Sequence, residues 1–140
     1  MSGAIARRML LLGALLIAQG SLFGAAAAGD DGMPRAKRVP PPNVAPITID
    51  DVEFAAIPFG KARGLGQNGG YVAARDPATG KEIWMLKVYD VVYDPKLEGD
   101  VQDVFIRSLQ KSASGHELVV TDERGRRYLV DPRTRIVRQQ

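Results

Sequence analysis

Apolar residues along this chain fall into short runs set off by turn-forming residues, and the clearest pair lies between residues 69 and 93. Gly70-Tyr71-Val72-Ala73-Ala74-Arg75 and Ile83-Trp84-Met85-Leu86-Lys87-Val88-Tyr89 flank Asp76-Pro77-Ala78-Thr79-Gly80. In that turn the Asp76 carboxylate can accept backbone amides, Pro77 presets φ, and Gly80 can take the left-handed conformation. The pattern predicts a β-hairpin. Trp84 alternates with Leu86 and Val88 on one side of its strand, with Ile83 and Met85 on the other. Apolar residues on both faces predict a central strand covered on both sides, with Trp84 in the core.

The flanking pattern extends the ribbon. Ile47-Thr48-Ile49 and Val52-Glu53-Phe54 predict a first strand that pairs with the hairpin and is limited by Pro58. Glycines at 60, 64, 66, 69 and 70 mark the longest and most mobile loop. Beyond the hairpin, Val91, Val92 and Tyr93 continue its second strand as far as Asp94-Pro95. Residues 95–103 mix helical and strand spacing, which predicts one helical turn and then a strand over 104–109. Three more strands follow over 117–121, 127–130 and 135–138, separated by polar turns, and this spacing marks an antiparallel meander. The expected fold is all-β: a small meander, sandwich or open barrel with at most one short helical turn.

The first residues read differently. Arg7 and Arg8, the apolar run Met9 to Ala18 and the small residues Ala25 to Ala28 have the tripartite form of a secretory signal. The apolar run is well short of the about 20 residues that a transmembrane helix needs. Residues 1–28 are therefore read as a cleaved leader, with no membrane anchor after cleavage, and the expected location is periplasmic or secreted. Residues 29–46 carry Pro34, Pro40, Pro41, Pro42 and Pro46 and read as an extended, solvated linker. Residues 47–140 then form a single β domain.

Composition narrows the chemistry. The 140 residues contain no cysteine and one histidine, and their formal charge of +3 falls to +1 once Arg7 and Arg8 leave with the leader. So small an excess gives no case for nucleic acid. Disulfides, thiol nucleophiles and lipid attachment through cysteine are excluded.

The motif Ala74-Arg75-Asp76-Pro77-Ala78-Thr79-Gly80-Lys81-Glu82-Ile83-Trp84 resembles the blade repeat of quinoprotein-type β-propellers. A second Asp-Pro-x-Thr turn, Asp131-Pro132-Arg133-Thr134, gives residues 104–137 a similar blade-like order of strands and turns. The resemblance implies two blade-like sheets. Arg135 stands where the second copy would have glycine, and two blades fall short of the roughly four to eight of a closed ring. No quinone site is carried over, and no cofactor is expected.

Candidate site residues fall in two clusters. Lys61, Arg63, Gln67 and Asn68 in the glycine loop could meet an anionic or polar ligand beside exposed backbone amides. The loop contains a literal Gly-x-Gly-x-x-Gly, but a strand follows it where a dinucleotide site needs a helix. Asp94, Glu98, Asp100 and Asp103 could offer oxygen ligands to a hard cation, although their spacing is not that of an EF-hand. His116, beside Gly115, reads as a surface residue. Arg124, Arg126, Arg127, Arg133, Arg135 and Arg138 would form a basic patch if they shared a face. With no nucleophile beside an evident base, the expectation is an exported non-catalytic β domain that binds another protein or an envelope component. The alternative is a small-ligand or cofactor-binding accessory protein using loop 60–70.

Overall fold

The computed structural model describes residues 39–140; the predicted leader and residues 29–38 of the predicted linker lie outside the described residues. Two four-stranded antiparallel meanders make up the fold. The first consists of β1 (Ile47–Ile49), β2 (Val52–Ile57), β3 (Tyr71–Arg75) and β4 (Glu82–Lys87), adjacent in chain order. The second consists of β5 (Ile106–Lys111), β6 (Leu118–Asp122), β7 (Arg127–Val130) and β8 (Val137–Gln139), in the same order. Helical structure among the described residues is limited to two 3-10 turns, Lys61–Arg63 and Asp100–Gln102. The two sheets do not join into a barrel, and the fold is a small β sandwich.

Period-two alternation builds the core between them. Phe54, Val72, Ala74 and Ile49 of the first sheet meet Ile106, Leu109, Leu118, Val120, Tyr128 and Val130 of the second in one cluster. The opposite face of the first sheet is apolar too: Ile57, Tyr71 and Ala73 pack there with Leu65 of the glycine loop and Met85.

Besides the additional 3-10 turn at Lys61–Arg63 and shifted ends of β5 and β8, the main departures from the predicted elements lie in and just after the first sheet. The single strand expected before Pro58 is a hairpin, β1–β2, with Ile49 opposite Val52. Its two turn residues, Asp50 and Asp51, have φ of 47° and 61°, the left-handed pair that a tight two-residue reversal needs. The strand expected through Tyr93 ends at Lys87, and Val92 lies almost wholly in solvent. Most consequentially, β4 is an edge strand and not a central one. The strand covered on both faces is β3, buried from Tyr71 to Ala74. Trp84 is half-buried, tilted against Phe54 at a centroid distance of 5.8 Å. Ile83 is the extra residue of a bulge, since Ala74 pairs with Trp84 while Arg75 pairs with Glu82, and it is largely exposed. Apolar residues on both sides of β4 thus belong to an edge strand that is partly covered on each face, Trp84 and Leu86 against the main core and Met85 against the outer cluster.

Candidate functional site

In the glycine loop the polar side chains bind the protein's own groups, both within the loop and in neighbouring segments. Gln67 is buried, and its Nε2 donates to the carbonyls of Gly69 at 2.9 Å and Tyr89 at 2.8 Å while its Oε1 accepts the Val91 amide at 3.0 Å. Asn68 Oδ1 accepts the Lys61 amide at 3.2 Å, and its Nδ2 donates to Asp103 Oδ2 at 2.8 Å. Arg63 pairs with Glu82 at 2.6 Å, and the Lys61 ammonium lies 4.3 Å from the Tyr93 ring centre. The glycines serve close packing: a Cβ on Gly69 would lie 2.0 Å from the Val104 carbonyl oxygen. Lys61, Arg63, Gln67 and Asn68 therefore share one loop but do not converge on an open anion cradle.

The acidic segment is also bound internally. Asp103 is buried, accepting the Tyr93 hydroxyl at 2.5 Å as well as Asn68. Burial, with help from this hydrogen bond, pushes the Tyr93 phenol up to about 12. Asp94 Oδ1 caps the Lys96 amide at 2.9 Å, and Gln102 Nε2 donates to the carbonyls of Asp94, Leu97 and Glu98. Asp100 opens the 3-10 turn next to Gln102. Among the described residues, no three side chains of the metal-binding types form a group that could hold an ion.

A third cluster joins Arg126, one of the arginines noted in the sequence, to groups that the sequence did not connect with it. Asp122, wholly buried at the end of β6, accepts the amides of Arg124 and Arg126 at Oδ1, both at 2.9 Å, and the Arg126 Nε at Oδ2, 2.7 Å away. The Arg126 guanidinium lies 5.6 Å from the ring centre of Tyr89 and 5.9 Å from that of Tyr128. Tyr89, two residues beyond β4, stacks on Tyr128 of β7 at 5.1 Å and 23°. Burial works against the Arg126 charge, but the hydrogen bond and attraction from Asp122 outweigh it and raise the pKa. Burial likewise pushes both tyrosine phenols upward. A groove of about 340 Å³ opens here, with Val88, Val137, Asp90 and Gln139 completing its walls. The one sequence signal was the recurrence of Asp and Arg around the Gly125 turn; the tyrosines come from segments 39 residues apart in number.

The arginines do not form one patch. Arg126 belongs to this groove, Arg135 lies over the Trp84 ring at 5.3 Å, and Arg138 pairs with Glu117 at 2.5 Å. A broader open groove of about 460 Å³ runs along the other side of the first sheet, walled by Ile57, Pro58, Phe59 and Ala62, with Arg63 and Glu82 among its polar lining. Phe59 is 55% exposed there, and Ile83, next in chain to Glu82, is 57% exposed. No helix among the described residues is long and apolar enough to cross a membrane. No protein-family model matches the chain, and no curated protein matches it.

Proposed function

We propose that the protein is an exported, non-catalytic β domain that binds another protein of the envelope or extracellular space. The observation that carries this reading is the apolar groove of Ile57, Pro58, Phe59 and Ala62 beside the exposed edge of β4. An open apolar groove next to unpaired strand hydrogen-bonding groups suits an extended segment of a protein partner, which can add a strand to the edge and place alternate side chains on the groove. Phe59 supplies a large aromatic anchor of the kind that dominates interfaces. The internal bonding of Gln67, Asn68 and Asp103 favours this over a small ligand in the glycine loop. The two meanders with their repeated Asp-Pro-x-Thr turns also support reading the sheets as blade-like repeats.

The test is site-specific photo-crosslinking in the host envelope. A crosslinker at Phe59 or Ile83 is expected to capture one stoichiometric partner that a crosslinker at Lys111, on the far sheet, does not. Equal labelling from all three positions would remove the assignment.

A further inference from the structure

The groove beside Arg126 lies between the segment that follows β4 and the second sheet, at the Tyr89–Tyr128 stack. Its arginine is held before any ligand arrives: Nε is bound to buried Asp122, and the guanidinium rests near both rings. The side chain is only 36% exposed. Its Nη groups make no hydrogen bond to any described residue, so the two-pronged end of the guanidinium keeps its donors for a partner. A fixed arginine fork matches the two oxygens of a carboxylate, and a fork already ordered loses little entropy on binding.

We propose that this groove binds a monocarboxylate with an apolar or aromatic body, its two oxygens lying against the Nη groups of Arg126. Charge selects the single negative charge. Asp122 already balances Arg126 and Lys87 pairs with Asp90 on the groove wall, so the lining holds no second cation for a dianion such as phosphate. Val88 and Val137 provide apolar wall for the body, the tyrosines provide aromatic surface, and Gln139 can hydrogen-bond a polar substituent. The carboxylate has two sources that share this chemistry: a free small molecule, or an acidic side chain carried by a protein.

The experiment is an NMR titration of the protein with phenylacetate, following backbone amides and the Arg126 Nε–H. Parallel arms use phenylacetamide, inorganic phosphate and a blocked tripeptide whose only carboxylate is a central glutamate side chain flanked by aromatic residues. Saturable shifts at Val88, Tyr89, Arg126 and Gln139, with a Kd of about 1 mM or tighter, are expected from phenylacetate or the tripeptide. The tighter of the two identifies the source. Binding should be at least roughly tenfold weaker for the amide and for phosphate. Arg126→Gln endangers the fold by stranding Asp122, so Gln139→Glu is the informative variant. Its added carboxylate lies in the groove beside Arg126 and is expected to weaken phenylacetate binding roughly tenfold without loss of folding. Flat titrations with both carboxylates, equal binding of the amide, equal binding of phosphate, or undiminished binding by folded Gln139→Glu would each overturn the proposal.

Discussion

The two Asp-Pro-x-Thr turns, one in each sheet, are the same device with Arg133 in place of Ala78 and Arg135 in place of Gly80. In the first, Asp76 Oδ1 accepts the amides of Ala78 and Thr79, Thr79 Oγ1 accepts that of Lys81, and the Gly80 amide donates to the Asp76 carbonyl. In the second, Asp131 Oδ1 accepts Arg133 and Thr134, Thr134 Oγ1 accepts Ile136, and the Arg135 amide donates to the Asp131 carbonyl. Gly80 has φ 70° and Arg135 has φ 60°. Aspartate and threonine therefore set the backbone path even where the left-handed residue carries a side chain that disfavours it. At Gly80 that position faces open space, whereas Arg135 reaches the Trp84 ring of the other sheet. A local strain in one turn is thus tied to a contact between sheets.

The largest break in the comparison should come from a third turn aspartate. Asp122 makes the same bond to the second amide ahead but is wholly buried and also holds Arg126. Asp122→Ala is expected to cost about 3 to 5 kcal/mol in chemical denaturation, because it strands a partly buried guanidinium. Asp76→Ala should lower stability far less, and equal losses would contradict the division between buried and exposed turn aspartates. Trp84→Ala comes next. Half-burial on an edge strand predicts a loss of about 2 to 3 kcal/mol, below the roughly 3 to 5 kcal/mol of a buried aromatic.

Exchange of the left-handed residues sharpens the comparison further. Gly80→Ala has space for its Cβ, so its expected cost of about 1 to 2 kcal/mol is purely conformational. Arg135→Gly relieves that strain but loses an exposed cation–π contact of about 0.5 to 1 kcal/mol and loosens the unfolded chain. Its net effect should be close to zero, and a loss as large as that of Gly80→Ala would mean that the Trp84 contact matters more than the strain.

A further effect is silent at neutral pH and appears only in pH dependence. A phenol whose folded pKa is raised stabilises the fold fully below its unfolded value near 10, and that contribution is lost as pH rises through the folded value. Tyr93, at about 12, should therefore show late tyrosinate absorbance, and stability should decline between about pH 10 and 12. Asn68→Ala, which removes one donor from Asp103, should shift the Tyr93 titration, while a titration identical to wild type would separate the phenol from that network. Asp131 has the opposite sign. Amide donation from Arg133, led by that bond and aided by Thr134, holds its carboxyl low, so its contribution is present above the unfolded carboxylate pKa and lost as pH falls through the folded value.

The sequence was most legible where a few adjacent residues decide the backbone. Asp76, Pro77 and Gly80 announced their turn, and β7 lies where its alternating residues predicted it. The β1–β2 reversal was missed because Asp50-Asp51 lacks the glycine that usually signals two left-handed residues. The glycine loop was recognised by composition, but not its closure by Gln67, whose partners Tyr89 and Val91 lie more than twenty residues away, at separations of 22 and 24.

Local chemistry by itself determined the all-β character, the meander order and most turn positions, since these depend on hydrogen bonds and φ preferences within a few residues. Tertiary structure alone decided which strand is an edge, how far each residue of β4 is covered, and that Tyr89, Tyr128 and Arg126 share a groove. Those outcomes depend on how two sheets bury their apolar faces against each other, and that free energy belongs to contacts between distant residues.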